Sequence, residues 1–379
     1  MRPLTRNPNP GYNIPQTIQI NRKSIQQPLM TQGIQPVPGY TATFYVQDLL
    51  NFLSAATFAN QGTPNWGNPN INANQRFLIP QLISLFTSSG TAGYGNARGA
   101  LLQNFGEICS YCEMTVQDSS LAVEHILPKA EFPGVMITYT NFFLACPVCN
   151  SVKGSQPTYT FAYTWAVSQG IFAPNYNQIL AAGVDCATSP TDATSYTGFT
   201  PNLYTANNAL IPRQNSLNTN NAYISTTNNQ VTASINGMGN IIVSNRFASN
   251  GNGTPLLRNN NFIAMVGLNR VVVGEFSDRR VTNRTVAWLD ALAAAYRLNT
   301  VFQNDPSQNK QLYLMMVAQV LATVRTAGYF STWAEVFYVL SPPLNNQWSY
   351  YSFLRNNATD PTQPQYYIPG TNAAALPAQ

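Results

Sequence analysis

Apolar positions recur at helical spacing in several separate parts of the chain. Leu49, Leu50, Leu53 and Phe58 set one stripe along Val46 to Phe58, the three-to-four-residue period of an amphipathic helix. After a stretch broken by Pro64, Gly67 and Pro69, a second helix is expected over Gln75 to Thr87, with Pro80 starting or kinking its second half. A third, Asn96 to Phe105, runs straight into a pair of cysteines. In the last third, Val281 to Leu298, Gln308 to Ala327 and Thr332 to Leu340 have the same character. Leu314, Val317, Leu321 and Val324 form one stripe there, and Leu312, Met316 and Val320 a neighbouring one, which predicts burial on two sides.

Between these helical parts the pattern changes. Residues 158–260 are mainly Asn, Thr, Ser, Gly and aromatic, with strand-like stretches at Val231 to Ile235 and Asn240 to Val243. Residues 1–40 carry Pro3, Pro8, Pro10, Pro15, Pro28, Pro36 and Pro38 and show no sustained period, which predicts an extended arm. Residues 345–379, with Pro361, Pro364, Pro369 and Pro377, predict an irregular tail. The expected order is the arm (1–40), a helical region (41–107), a compact chemical segment (108–157), an irregular β-rich insert (158–260), a helical region (261–344) and the tail.

Composition narrows the class. The chain has 379 residues, 44% of them hydrophobic, enough for at least one sizeable core. Only 9% are charged, against ~25% in ordinary soluble domains. Asn, Gln, Ser and Thr fill the surface instead, a bias that suits an exported cargo, a particle-associated protein or an Asn-rich lineage. The net charge of +5 leans only weakly toward a polyanionic partner, because the pI of about 8.9 stays below the ~9 of a basic footprint. Met1 to Tyr12 has no apolar core of a secretory signal. The longest apolar run, Leu312 to Val324, falls short of the ~20 residues of a membrane span. Cytoplasmic residence, or delivery by a non-Sec secretion or injection route, is expected.

Four of the five cysteines form two Cys-x-x-Cys pairs, Cys109/Cys112 and Cys146/Cys149, with 33 residues between them. Each such pair makes a tight turn that aims two thiolates at one ion, and two turns complete a tetrahedron for structural Zn²⁺. A redox pair is one alternative, but it leaves the second pair unexplained; two incidental pairs or disulfides are the others. Cys186 stands alone in an Asp/Thr/Ser/Pro-rich stretch, as a small partly buried residue or a reactive thiol. Between the pairs stands His125, the single histidine of the chain, preceded by Glu124 and followed by Lys129. Asn150 comes directly after the last cysteine. A base for water and a divalent ion on phosphate are what phosphodiester hydrolysis requires.

Cys-Ser-Tyr-Cys-Glu (109–113), Glu-His-Ile-Leu-Pro-Lys (124–129), Asn141 and Cys-Pro-Val-Cys-Asn-Ser-Val-Lys-Gly (146–154) together resemble an HNH endonuclease. The similarity is to the four-cysteine zinc branch of the ββα-metal superfamily, which includes the phage recombination endonuclease VII type. Weaker similarity to the flanks of bacterial HNH toxin and defence proteins lies in Gly267-Leu268-Asn269-Arg270, in Arg279 and Arg280, and in Gly328 to Trp333.

The resemblance implies an α+β fold: a zinc-stabilised ββα-metal finger embedded in a mostly helical body, with an Asn/Thr-rich loop and hairpin region. Val123 to Ile126 and Asn141 to Ala145 would be its strands, and Val148 to Gly154 its helix. It further implies His125 as general base, Glu124 and Asn150 as ligands of a catalytic Mg²⁺ or Mn²⁺, and Asn141 as the residue that ties the loop at His125. Glu124 replaces the Asp of the phage enzyme and is one methylene longer; an exposed acid or an ion-pair partner of Lys129 is its alternative. Lys129 and Lys153 are expected on phosphate or as plain solvated charges, and Glu113 beside His125 or on the surface. Arg279 and Arg280, with Arg270 and Arg284, are the expected accessory phosphate patch, or else a helix-capping or salt-bridged set. The expected substrate is nucleic acid, DNA rather than RNA, cut non-specifically or by structure. An immunity protein or a delivery or assembly partner fits a toxin or effector cargo, and a defence nuclease is the other setting. A catalytically inactive zinc-finger structural or nucleic-acid-binding protein is the competing function.

Overall fold

The computed structural model describes residues 12–58, 73–87, 93–125, 129, 136–154, 266–268, 278–303, 309–342 and 346–371, together with short strands between 199 and 245. The described architecture mixes many helices with small antiparallel sheets, an α+β fold.

The first layer is built by residues 12–58 and 73–87. β1 (Thr17–Gln19) pairs antiparallel with β2 (Thr43–Tyr45), and α1 (Lys23–Thr31) lies between them in sequence. α2 (Val46–Phe58) and α3 (Ala73–Thr87) follow. Ile25 and Leu29, four apart, stack on one face of α1 and join Phe44, Leu49, Leu53, Leu78, Leu82 and Phe86 in a closed core. The extended arm expected over 1–40 is therefore corrected for its described part: from Tyr12 onward the chain folds onto the body. The density of prolines hid the Ile25/Leu29 pair, whose burial outweighs the backbone hydrogen bond that Pro28 removes inside α1. Pro80 likewise sits within α3, so it does not begin that helix.

A one-turn 3₁₀ segment, Tyr94–Ala97, leads into α4 (Arg98–Phe105). β3 (Ala122–His125) pairs antiparallel with β4 (Phe142–Ala145), in the register Ala122↔Ala145 to His125↔Phe142. α5 (Pro147–Lys153) follows at once. These elements make the ββα unit, each within a residue or two of its sequence-based bounds. Its core joins Leu101 and Phe105 of α4 to Phe142, Phe143, Leu144 and the four paired cysteines.

Five further strands follow: β5 (Phe199–Tyr204), β6 (Leu210–Ile211), β7 (Ile224–Thr227), β8 (Gln230–Ala233) and β9 (Asn240–Asn245). They pair as a β6-β5-β9 sheet and a β7-β8 hairpin. The strand-like stretches at 231–235 and 240–243 overlap β8 and β9, while Cys186, and Arg270 beyond the segment, lie outside the described residues.

The last layer is helical: α6 (Arg280–Gln303), α7 (Lys310–Ala327), α8 (Phe330–Leu340) and α9 (Tyr350–Asn357). Trp288, Leu292, Leu298, Tyr313, Leu321, Trp333 and Phe337 fill their core. α9 corrects the irregular tail expected over 345–379. Ser349 caps it by accepting from Ser352 N at 3.1 Å, and Tyr350, Tyr351 and Leu354 are buried. The prolines that suggested irregularity lie beyond it. In α7 a single face is covered: Tyr313, Val317, Leu321 and Val324 are buried, whereas Leu312 is 51% and Met315 64% exposed. Burial on two sides is thus corrected to one. No described helix is long and apolar enough to cross a membrane.

Candidate active site and zinc centre

Local sequence explains how the cysteines converge. Ile108 bridges Thr115, Cys109 N donates to Met114 O at 3.0 Å, and Glu113 N donates to Cys109 O at 3.0 Å, which closes a knuckle around Cys109 and Cys112. The second knuckle is the start of α5, where Pro147 occupies the first helical turn and Cys146 is the N-cap. The Cys146 sulfur accepts from Cys149 N at 3.4 Å. All four ligand sulfurs lie within 4.8 Å of one another and are buried, and none is in a disulfide. Cys112 Sγ and Cys146 Sγ are 3.9 Å apart, close to the ~3.8 Å edge of a tetrahedron with ~2.3 Å Zn–S bonds. Cys146 N donates to Cys109 Sγ at 3.3 Å and Arg280 Nη1 to Cys149 Sγ at 3.3 Å. Such donors stabilise thiolates, so the donor set fits one structural Zn²⁺.

His125 closes β3, opposite Phe142. Its ring stands edge-on to Tyr94 (centroids 4.6 Å, 79°) and to Phe142 (5.2 Å, 88°). Nε2 lies 2.9 Å from Met136 O. A carbonyl can only accept, so Nε2 carries the proton and Nδ1 keeps its lone pair. Met136 and Ile137 are fully buried in the α1–α3 core, so the first layer holds the carbonyl that sets this tautomer. Burial pushes the His125 pKa down to about 4; the Met136 carbonyl opposes the shift, and Lys129 and Lys153 add to it. Asn141 is fully buried in the turn Tyr139–Asn141 directly before β4, where its N–H donates to Thr138 O at 2.9 Å.

Several expected ligands prove to have other work. Glu124 is 4% exposed and paired with Lys153 Nζ at 2.5 Å, and it also accepts from the Tyr111 hydroxyl. Burial raises its pKa, against the lowering effect of Lys153 and of both hydrogen bonds. Successive strand residues face opposite ways, so the carboxylate points away from the His125 ring into this buried set. Its ion-pair partner is Lys153 rather than Lys129. Lys153, expected on phosphate, is 2% exposed and donates to His125 O at 2.7 Å. Asn150 is exposed on α5, so of the expected Mg²⁺ ligands it alone is open to an ion. Lys129 is half-buried; it donates to Tyr94 OH at 3.0 Å, and its ammonium lies 4.8 Å from the Tyr94 ring centre.

The arginine patch is also corrected. Arg280 is 1% exposed; it pairs with Asp278 at 2.7 Å and donates to Val266 O at 2.7 Å as well as to Cys149. Arg284 is 2% exposed and donates to Leu268 O at 3.1 Å. Arg280 thus braces the second knuckle from α6, and the buried guanidinium of Arg284 is met by the Leu268 carbonyl. Of the described arginines of that set, Arg279 is the exposed one. Glu113 is neither beside His125 nor on the surface: it is buried, and Oε2 accepts from Ser331 N at 2.8 Å at the start of α8. Tyr94, Tyr111 and Met136 went unnoticed in the sequence. Tyr111, inside the first Cys-x-x-Cys, was the one with a positional signal.

The HNH endonuclease family model matches residues 109–156. That stretch is an HNH endonuclease domain, and it contains both knuckles, His125, Asn141 and Asn150. Septu protein PtuB of Bacillus thuringiensis is 32% identical over 79 residues, which cover 20% of this chain and 31% of that protein. The chain thus matches about a third of that relative's length. No solved structure matches the chain.

Proposed function

We propose that this protein is an endonuclease that hydrolyses phosphodiester bonds of DNA, without sequence specificity or by structure, with His125 as the general base. The observation that carries the reading is the fixed tautomer: Nε2 is held by the buried Met136 carbonyl, which leaves Nδ1 as acceptor for a proton from water. His125 is neutral at physiological pH because its environment disfavours the imidazolium. The sulfur-clamped Zn²⁺ supplies folding energy to a hairpin too small to bury a core of its own. A requirement for Mg²⁺ or Mn²⁺ belongs to the proposal and rests on the family resemblance, with Asn150 as the candidate oxygen ligand. The two settings for such an enzyme are a toxin or effector cargo and a defence nuclease. Toxicity on expression that a neighbouring gene product relieves, as an immunity protein would, points to the first.

A second reading is a zinc module without catalysis that binds nucleic acid or serves structure. The commitment of Glu124 to Lys153 and Tyr111 favours it, since it removes one expected ligand of the second ion. Purified protein incubated with labelled duplex DNA, single-stranded DNA and RNA, then with chelator followed by Mg²⁺ alone, separates the two. Cutting that Mg²⁺ restores and that His125→Ala abolishes supports the enzyme; cutting that survives both His125→Ala and Asn150→Ala refutes this mechanism.

A further inference from the structure

Tyr94 lies outside the matched HNH stretch, on the 3₁₀ turn ahead of α4, yet among the described residues its ring lies nearest to that of His125, at 4.6 Å. Lys129 approaches the same tyrosine in two ways. Its ammonium donates to the phenol oxygen at 3.0 Å and lies 4.8 Å from the ring centre. Because the phenol oxygen accepts from Lys129, its own O–H must point elsewhere. Among the described residues no carboxylate pairs with Lys129, in contrast to Lys153 and Arg280, whose charges are met by Glu124 and Asp278. Tyr94 and Lys129 are both half-buried, not sealed as Glu124 and Lys153 are. A hydroxyl donor and a cation thus sit together beside the candidate base, and among the described residues no acid meets that cation. The chemistry that completes such a pair is a phosphodiester, which brings acceptor oxygens and one negative charge.

Resting on the nuclease reading above, we propose that Tyr94 is a substrate-contacting residue whose hydroxyl, oriented by Lys129, donates to a non-bridging oxygen of the DNA phosphate at His125. Lys129 supplies the countercharge to the same phosphate. The 3₁₀ turn before α4 is therefore part of the active site, and the site extends beyond the ββα unit into the helical body.

The test is binding of a short fluorescent DNA duplex, followed by anisotropy with Ca²⁺ in place of Mg²⁺, for wild type, Tyr94→Phe, Lys129→Gln and the double variant. Phenylalanine keeps the ring against His125 and removes only the hydroxyl. Tyr94→Phe is expected to weaken binding about tenfold, as loss of one hydrogen bond to a charged group does. Lys129→Gln is expected to weaken it and to reduce the slope of log K against log salt by about 0.9. The double variant should bind no more weakly than Lys129→Gln, since the hydroxyl is oriented by the ammonium. Binding by Tyr94→Phe within about twofold of wild type, less than a hydrogen bond contributes, overturns the inference. Parallel assays with Mg²⁺ keep the two readings apart. Wild type that never cuts DNA, with binding still lost in Tyr94→Phe, supports the phosphate contact and refutes hydrolysis.

Discussion

Lys153 Nζ lies 2.5 Å from Glu124 Oε1 and, from the same position, donates to the carbonyl of His125 at 2.7 Å. The ammonium on α5 therefore fixes the backbone of β3 at the residue that bears the candidate base, and Tyr111 of the first knuckle holds the other side of the carboxylate. Both charges are buried, so the pair has little stabilising surplus over an apolar pair, but breaking it strands one charge. Lys153→Met is expected to destabilise the protein by about 3 kcal/mol or more, and Lys153→Met with Glu124→Met to recover a large part of that loss. Urea unfolding midpoints of wild type, Lys153→Met and the double variant check this. A single variant as stable as wild type would show that Glu124 reaches water.

A pH dependence follows from His125. Its folded pKa of about 4 lies below the ordinary 6.5, so the unfolded chain takes up a proton at pH values where the folded chain does not. Stability from this residue is complete above about pH 6.5 and falls as pH drops toward 4, by up to about 3 kcal/mol at ~1.4 kcal/mol per pH unit. His125→Asn, which cannot titrate, should show a flatter stability profile across that window. The same shift places the acid limb of DNA cleavage well below pH 6.5. A limb at the ordinary histidine value would mean that the imidazole is solvated.

Much of the site was legible because its signals are local. Two Cys-x-x-Cys turns, one histidine between them and an asparagine after the last cysteine mark the ββα unit, and β3, β4 and α5 fall within two residues of their expected bounds. The roles of the charged residues were not legible, because burial is a property of the whole fold. Lys153 and Asn150 are three apart on one short helix, yet one is buried and the other exposed. Arg280 looked like a phosphate ligand until α6 brought it against Cys149, 131 positions away in sequence. The helix Tyr350–Asn357 was hidden for another reason, since prolines beyond it dominated the composition of the tail.

Arg280 gives a test that separates bracing of the zinc centre from phosphate binding. Its Nη1 donates to Cys149 Sγ while Asp278 holds the rest of the guanidinium. Arg280→Met should lower zinc affinity about tenfold or more, the usual consequence of losing a partner of a metal ligand. Competition with a chromogenic chelator measures it. The salt dependence of DNA binding should stay unchanged, whereas a phosphate ligand would take about 0.9 from the slope.

Gly328 joins the C-terminal helices to the first knuckle, and its place admits no side chain. It has φ 74°, and an added Cβ would lie 2.4 Å from Glu113 O and 2.9 Å from Thr115 Oγ1. That carbonyl accepts from Tyr329 N at 2.9 Å, and the Glu113 carboxylate takes Ser331 N at the start of α8. Gly328→Ala adds left-handed strain to a clash with backbone, so a loss of about 2 kcal/mol or more is expected. Glu113→Gln keeps an acceptor for Ser331 and gives up only the charge at the helix N-terminus, for about 0.5–1 kcal/mol. Thermal unfolding of the two variants orders these effects. If Glu113→Gln proves the more damaging, the charge on α8 rather than the close approach at Gly328 holds the knuckle against the helical layer.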